Sequence, residues 1–94
     1  MARIELMPEA LDDLDRIVNY LVQSKAVNIP KKIAEIQQAI SVLETSSRIG
    51  HAISNDKREL LIGQRRHGYV AVYSYLADID CIFVLTIQSQ RQQR

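Results

Sequence analysis

The sequence predicts an α+β domain in which a helical hairpin packs on one face of a small, curved, mainly antiparallel sheet, with the element order β-α-α-β-β-β. Two patterns and the chain length predict this fold. Apolar residues in the first half recur at steps of three and four, as in amphipathic helices. Those in the second half recur at strand spacing or in short runs. With 94 residues, the chain is expected to form a single domain, residues 1–94.

The chain begins with a strand and continues into a helix. Residues 3–7 alternate polar and apolar side chains, and Pro8 ends that strand. Pro8 also suits the first turn of a helix, predicted over roughly residues 9–24. Asp12 and Asp13 then lie near the positive end of the helix dipole, where acidic side chains are stabilising. The apolar stripe of this helix comprises Leu11, Leu14, Ile17, Val18, Leu21 and Val22.

A second helix follows after a short break at residues 25–28. Asn28 can cap it, and Pro30 lies in its first turn. Because the connection is so short, the two helices should form an antiparallel hairpin. The second apolar stripe comprises Ile29, Ile33, Ile36, Ile40 and Leu43.

The pattern then changes to that of strands. Residues 45–57 are typical of a loop, and Ile49 and Ile53 are expected to pack against the core. Three strands are predicted after it, over residues 59–62, 69–76 and 81–88.

Short turns join these three strands, so consecutive strands should run antiparallel. The apolar run at residues 82–85 predicts that the last strand is central and partly covered on both faces. Arg58 opens the first of the three strands and Arg91 follows the last. Antiparallel pairing is therefore expected to bring both to the edge of the sheet.

Composition and charge narrow the class of protein. The net charge of +1 argues against strong non-specific binding to nucleic acid, which needs many phosphate contacts. The charge is unevenly distributed, at −2 over residues 1–56 and +3 over residues 57–94. An anionic partner should therefore meet the second half. The chain lacks both a run of about 18 apolar residues and a signal peptide, so a cytoplasmic location is expected.

The residue pattern contains no motif for a metal, a cofactor or a catalytic centre. His51, His67 and Cys81 lack metal-ligand spacing, and Cys81 is best explained as a small buried hydrophobic residue. Neither a phosphate-binding loop nor a nucleophile motif is present. No cofactor, metal or catalytic residue is therefore predicted.

Two segments leave alternatives open. The cationic turn of residues 64–68 suits either docking of phosphates or carboxylates, or a solvated turn that keeps the protein soluble. Tyr69, Tyr73 and Tyr75 share one face of a strand, where they serve either as a binding surface or as core packing.

Several motifs of the chain, in this order and spacing, resemble those of the RelE/ParE superfamily of bacterial toxins. The opening letters MPEALDDLDRI look like the first helix of that family. The family patterns Arg-Glu-Leu, Gly-Tyr, Tyr-Arg-Tyr and Val-Leu-x-Ile-x-His-Gln-Arg correspond to four stretches here. These begin at Arg58, Gly68, Tyr73 and Val84, and the last one ends with Gln90 and Arg91.

The resemblance implies the toxin half of a type II toxin–antitoxin pair, a system associated with plasmid stabilisation and growth inhibition. It implies that a small antitoxin encoded beside the toxin wraps it with an extended and helical segment, in a hetero-oligomer. The RelE-like branch cleaves messenger RNA on the ribosome. The ParE-like branch inhibits DNA gyrase through protein contacts and needs no catalytic machinery.

Departures from the family pattern favour the ParE-like branch. Val70 and Ser74 replace two arginines of the RelE-like pattern, and Ser89 replaces the histidine of the tail. Cleavage by the 2′-hydroxyl needs a base and cations at the developing oxyanion, and neither set is intact. A ribosome-dependent ribonuclease with substitute cations remains an alternative, as does a non-toxic module that only binds an antitoxin. The altered tail leaves retention of toxicity open.

The sequence thus suggests two groups of contact residues. The candidates for contact with the target are Arg58, Arg65, Arg66, His67, Tyr73 and Arg91. The candidates for contact with the antitoxin lie on the apolar stripes of the two helices: Leu14, Val18, Leu21, Ile36 and Ile40.

Overall fold

A computed structural model describes residues 1–63 and 68–90 of the chain. The α+β class and the predicted order of helices and strands are confirmed, with one additional short strand, β2. In chain order the elements are β1 (Arg3–Leu6), α1 (Pro8–Gln23), α2 (Ile29–Val42), β2 (His51–Ala52), β3 (Lys57–Ile62), β4 (Tyr69–Leu76), a 3₁₀ turn (Ala77–Ile79) and β5 (Cys81–Ser89).

The strands form one mixed sheet in the order β1-β5-β4-β3-β2. As predicted, β3, β4 and β5 pair antiparallel in succession. Strand β1 pairs with β5 in parallel, from Arg3 beside Cys81 to Leu6 beside Val84. Strand β5 is therefore an interior strand, and Ile82 and Val84 within it are fully buried. A β-bulge at Leu85 shifts the β4–β5 register by one residue.

Both helices pack on the same face of the sheet, and the predicted apolar stripes form the core. The buried core residues of the helices are Ala10, Ile36 and Ile40, with Leu43 just after α2; those of the sheet are Ile62, Ala71, Tyr73, Ile82, Val84 and Ile87. The buried stripe of α1 is narrower than predicted, because a helix lying on a sheet buries little more than a 100° arc. Leu11 and Val22 lie outside that arc and are 51% and 58% exposed.

The connection between α2 and β3 differs from the prediction. Ile49 and Ile53 are 57% and 47% exposed, so the expectation that they pack against the core is wrong. The physical reason is β2, whose residues His51 and Ala52 pair with β3 and hold this segment at the edge of the sheet. The Ile53 amide then donates to the Lys57 carbonyl and closes the turn into β3.

The start of α2 also differs in detail. Asn28 occupies the N-cap position, but its backbone is left-handed, with φ of 60°, and its side chain makes no capping hydrogen bond. The predicted side-chain cap is therefore wrong, although Pro30 does lie in the first turn. Neither helix in the described part of the chain is long and apolar enough to cross a membrane.

Gly50 is the position in the α2–β3 connection where a side chain has no room. A Cβ added to it would lie 2.7 Å from the Glu59 carbonyl oxygen and 2.8 Å from the Tyr73 hydroxyl. One of these neighbours belongs to the backbone of β3 and the other to the core. Neither can move without disturbing the sheet.

We predict that Gly50→Ala lowers the free energy of unfolding by about 1–3 kcal/mol, because overpacking forces backbone shifts. Urea denaturation followed by circular dichroism measures this. Ser54→Ala, an exposed change in the same connection, is the control and should stay within about 0.5 kcal/mol. Equal stability of the two variants would contradict the prediction.

Candidate functional site

A cavity of about 630 Å³ lies between the helical hairpin and one end of the sheet. The connection between the helices forms one wall through Ser24 and Ala26. The start of β4 and the end of β5 form the other wall. Its apolar lining is Ile17, Leu21, Tyr69 and Ile87, and its cationic lining is Arg16 and Lys32. A groove with apolar walls and a few charged groups is suited to a partner's side chains.

One wall of this cavity contains a buried carboxylate. Asp13 of α1 is 8% exposed, and its Oδ2 accepts a hydrogen bond of 2.9 Å from the Ile87 backbone amide. Its Oδ1 lies 3.3 Å from Nη2 of Arg16. The sequence predicted only that Asp13 is stabilised near the positive end of the helix dipole. The position of this side chain links α1 to the end of β5.

The residues predicted to contact an antitoxin lie mostly within the core. Ile36 and Ile40 are buried between α2 and the sheet, and Leu14 packs against the same core. Val18 is half-buried, and Leu21 is buried but borders the cavity. These side chains chiefly hold the hairpin on the sheet, and only Leu21 among them lines the cavity.

Only two of the residues predicted to contact the target, Arg58 and Tyr73, lie within the described part of the chain. Arg65, Arg66, His67 and Arg91 lie outside the residues that the structure describes. Arg58 lies beside Tyr73 in the β3–β4 ladder, whereas Gln90, which precedes Arg91, hydrogen-bonds to Gly68. The expectation that Arg58 and Arg91 both lie at the edge of the sheet stays a prediction, because Arg91 lies outside the described residues. Strands β3 and β5 run in the same direction, so the start of one lies far from the end of the other.

Tyr73 and Arg58 instead fasten the connection between α2 and β2. Tyr73 is fully buried, and its hydroxyl donates to the Ser47 carbonyl at 2.8 Å and accepts from the Gly50 amide at 3.0 Å. Nη1 of Arg58 donates to the carbonyls of Arg48 at 3.1 Å and Gly50 at 2.8 Å. Tyr73 therefore offers no surface to a partner in this structure.

The other tyrosines of β4 also pack rather than form a free aromatic surface. Tyr69 and Tyr75 are partly buried against the core on the helix side. Burial, and secondarily the charges of Glu35 and Tyr20, raise the pKa of Tyr69. The hydrogen bond of 2.8 Å that its hydroxyl donates to Asp80 is the main cause that raises the pKa of Tyr75. Both phenols hold their protons at neutral pH, so neither is suited to act as a general base.

The opposite face of the sheet carries no helix and is mainly apolar in its described part. Alternation along the strands places Val72, Phe83 and Leu85 on this face, all half-buried, together with Leu61, which is 66% exposed. Ser74 on the same face donates to Asp56 at 3.1 Å. The face is therefore suited to contact with protein more than with phosphates.

Sequence reasoning missed two cavity residues, Arg16 and Lys32. Arg16 and Lys32 lie off the apolar stripes, and the cavity depends on how far the end of the hairpin stands from the sheet. Arg16 lies about 140° from Leu21 on the helical wheel, so its position in the sequence gave no signal of a cavity. Among residues 1–63 and 68–90, no group of three His, Cys, Asp or Glu side chains is placed to hold a metal ion.

The model of the family described as the ParE toxin of the type II toxin–antitoxin system, parDE, matches residues 4–94. The fold and this match define the class, a toxin of a type II toxin–antitoxin system. The chain belongs to the ParE toxin family, which confirms the ParE-like assignment made from its motifs. No curated protein matched the sequence.

We predict that Tyr73→Phe lowers the free energy of unfolding by about 1–3 kcal/mol, because the Ser47 carbonyl and the Gly50 amide lose their buried partner. Thermal and urea denaturation measure the effect. Tyr20→Phe, in which the lost hydroxyl belongs to a residue that is 61% exposed, is the matched control and should remain near wild-type stability. A Tyr73→Phe protein as stable as Tyr20→Phe would show that this hydroxyl contributes nothing.

Proposed function

We propose that this ParE-family toxin inhibits DNA gyrase through protein contacts and that an antitoxin neutralises it by binding in the hairpin cavity. The family match over residues 4–94 carries the proposal. The apolar character of the helix-free face and of the hairpin cavity supports the proposal, because it favours protein partners.

The helix-free face of the sheet supports a protein target over RNA. Val72, Phe83 and Leu85 form its centre, and Glu5 and Glu59 lie towards its two edges. An RNA backbone would lose hydration against this apolar centre. The charges at its sides are mixed, because Arg3 pairs with Glu5 and Lys57 lies two residues before Glu59. An apolar centre with a charged rim is the usual composition of a protein–protein interface.

Cations near the β3–β4 turn and at the tail are the proposed target contacts: Arg65, Arg66, His67 and Arg91. The Gln90 amide donates to the Gly68 carbonyl at 3.0 Å, so the described residues that flank both segments lie at the same end of the sheet. Arginine is enriched at energetically important positions of protein interfaces. Arg58 is not a suitable probe, because its removal would release the connection that it fastens.

We predict that purified wild-type protein inhibits gyrase supercoiling of plasmid DNA. The double variant Arg65→Ala/Arg66→Ala should need about thirtyfold more protein for the same inhibition, because two interface arginines that each contribute about 1 kcal/mol together contribute about 2 kcal/mol. Lys25→Ala/Lys31→Ala removes the same charge from exposed positions of the helical hairpin and should act like wild type.

Cells that produce the protein alone provide the parallel test. Relaxed or cleaved DNA with intact messages supports gyrase as the target. Messages cut on the ribosome would instead identify a ribonuclease. Normal growth, together with unaffected gyrase in vitro, would identify a non-toxic module that binds only an antitoxin.

The hairpin cavity is the proposed docking site for the antitoxin. Ile17, Leu21 and Ile87 provide apolar walls, and Arg16 and Lys32 add positive charge. The side chain of Arg16 is 73% exposed although it pairs with Asp13, so it can reach a second carboxylate. An antitoxin segment that combines a large apolar residue with acidic ones fits this chemistry.

We predict that Lys32→Glu weakens binding of the antitoxin encoded beside the toxin by about tenfold, because a charge at the cavity is reversed. Isothermal titration calorimetry with the purified antitoxin measures the affinity. Lys31→Glu makes the same change one residue away, at an exposed position outside the cavity lining, and should retain wild-type affinity. Equal loss in both variants would indicate a general charge effect and exclude the cavity as the docking site.

A further inference from the structure

The Asp13 carboxylate makes a buried contact between residues 74 positions apart in the chain. Its neighbours on α1, Asp12 and Asp15, are exposed, whereas Asp13 is turned towards the sheet. A carboxylate that accepts from a backbone amide makes a charge-assisted hydrogen bond, which is stronger than one between neutral groups. Asp13 is therefore distinct in role from the other acidic residues of this helix.

The end of β5 needs such a contact because β1 is too short to cover it. The β1–β5 ladder ends where Leu6 lies beside Val84 and the Met7 amide donates to the Val84 carbonyl. The chain then turns into α1 at Pro8, while β5 continues to Ser89. Beyond Val84, none of the described strands pairs with β5 on the side that β1 occupies. The Ile87 amide therefore donates to the Asp13 side chain rather than to a strand.

The other side of the same segment is also held. The Gln90 amide donates to the Gly68 carbonyl at 3.0 Å, and the Gln90 side chain donates to the Tyr69 carbonyl at 3.4 Å. The residues between these anchors, Ile87 to Ser89, line the hairpin cavity. The shape of that wall of the cavity therefore depends on Asp13 from one side and on β4 from the other.

We propose that Asp13 is a positioning residue, which holds the end of β5 in the geometry that the antitoxin recognises. This inference rests on the proposed function of the cavity. At 8% exposure, Asp13 presents little surface to a partner, so it acts on binding through the two groups that it holds, the Ile87 amide and the Arg16 guanidinium. Loss of the carboxylate frees the Ile87 amide and lets this cavity wall move.

The test compares Asp13→Ala and Asp13→Asn with the exposed controls Asp12→Ala and Asp15→Ala. In the free toxin, amide hydrogen exchange measured by nuclear magnetic resonance should be about tenfold faster at Ile87 in Asp13→Ala, with little change in β3. Asp13→Asn retains a neutral oxygen acceptor and should show about a threefold increase. Affinity for the purified antitoxin should fall about tenfold in Asp13→Ala, recover most of the way in Asp13→Asn and stay unchanged in the controls.

Three results would overturn the proposal. One is an Ile87 exchange rate that stays at the wild-type value. Another is hydrogen exchange in Asp13→Ala that accelerates equally at every amide, because this would indicate only a general loss of stability. The third is wild-type antitoxin affinity in Asp13→Ala.

If Asp13→Ala does not fold, Asp13→Asn provides the same comparison of Ile87 with the amides of β3. An antitoxin that fails to bind wild-type toxin would refute the proposed cavity function. The exchange measurement on the free toxin would still decide whether Asp13 positions the end of β5.

Discussion

The difference in length between β5 and its parallel neighbour determines the geometry of the cavity. Strand β5 has nine residues and β1 has four, and the two pair only as far as Val84. Pro8 cannot donate to a strand ladder, and the chain enters α1 at this point. The helix then crosses beside the remaining part of β5 and satisfies the Ile87 amide with a side chain. Because a helix cannot lie as close to this edge as a strand, a cavity remains beside it.

The opposite end of the sheet is held by a second set of polar contacts, most of them buried or part-buried. Tyr73 and Arg58 bind the carbonyls and the amide of residues 47–50, and this segment connects α2 to the edge strand β2. Buried polar groups are costly unless they are paired, so this arrangement strongly favours one path for the connection. Within the described residues, no buried side-chain nitrogen or oxygen atom lacks a partner. Both ends of the sheet are thus fastened by contacts between residues distant in sequence.

These distant contacts explain how far the sequence could predict the structure. The spacing of Ile36 and Ile40, and of Leu14 and Leu21, reports a local period, and it placed the helices and their buried faces correctly. The role of Asp13 has no local signal, because acidic residues are favourable in the early turns of any helix. The role of Tyr73 is equally ambiguous in the sequence. Strand alternation predicts which face of the sheet carries its side chain, but not which residues cover that face.

The elements that the prediction missed have a similar cause. Strand β2 has two residues, too few to show alternation, and it forms only because β3 provides a partner. Once β2 lies at the edge of the sheet, Ile49 and Ile53 are carried away from the core. The sequence predicted apolar contact residues on the helical hairpin but not the shape of the cavity, because that shape arises from the separation between two elements, which neither element encodes alone.

Charge summed along the chain is a poor guide to the chemistry of the cavity. The first 56 residues have a net charge of −2, yet they contribute Arg16 and Lys32 to its lining. Asp13, the acidic residue paired with Arg16, is buried and also bonded to a backbone amide. Neutralisation of the cations within the toxin is therefore incomplete, and Lys32 keeps its charge available at the cavity. A partner with acidic side chains would meet positive charge here, on the half of the protein whose total charge suggests the reverse.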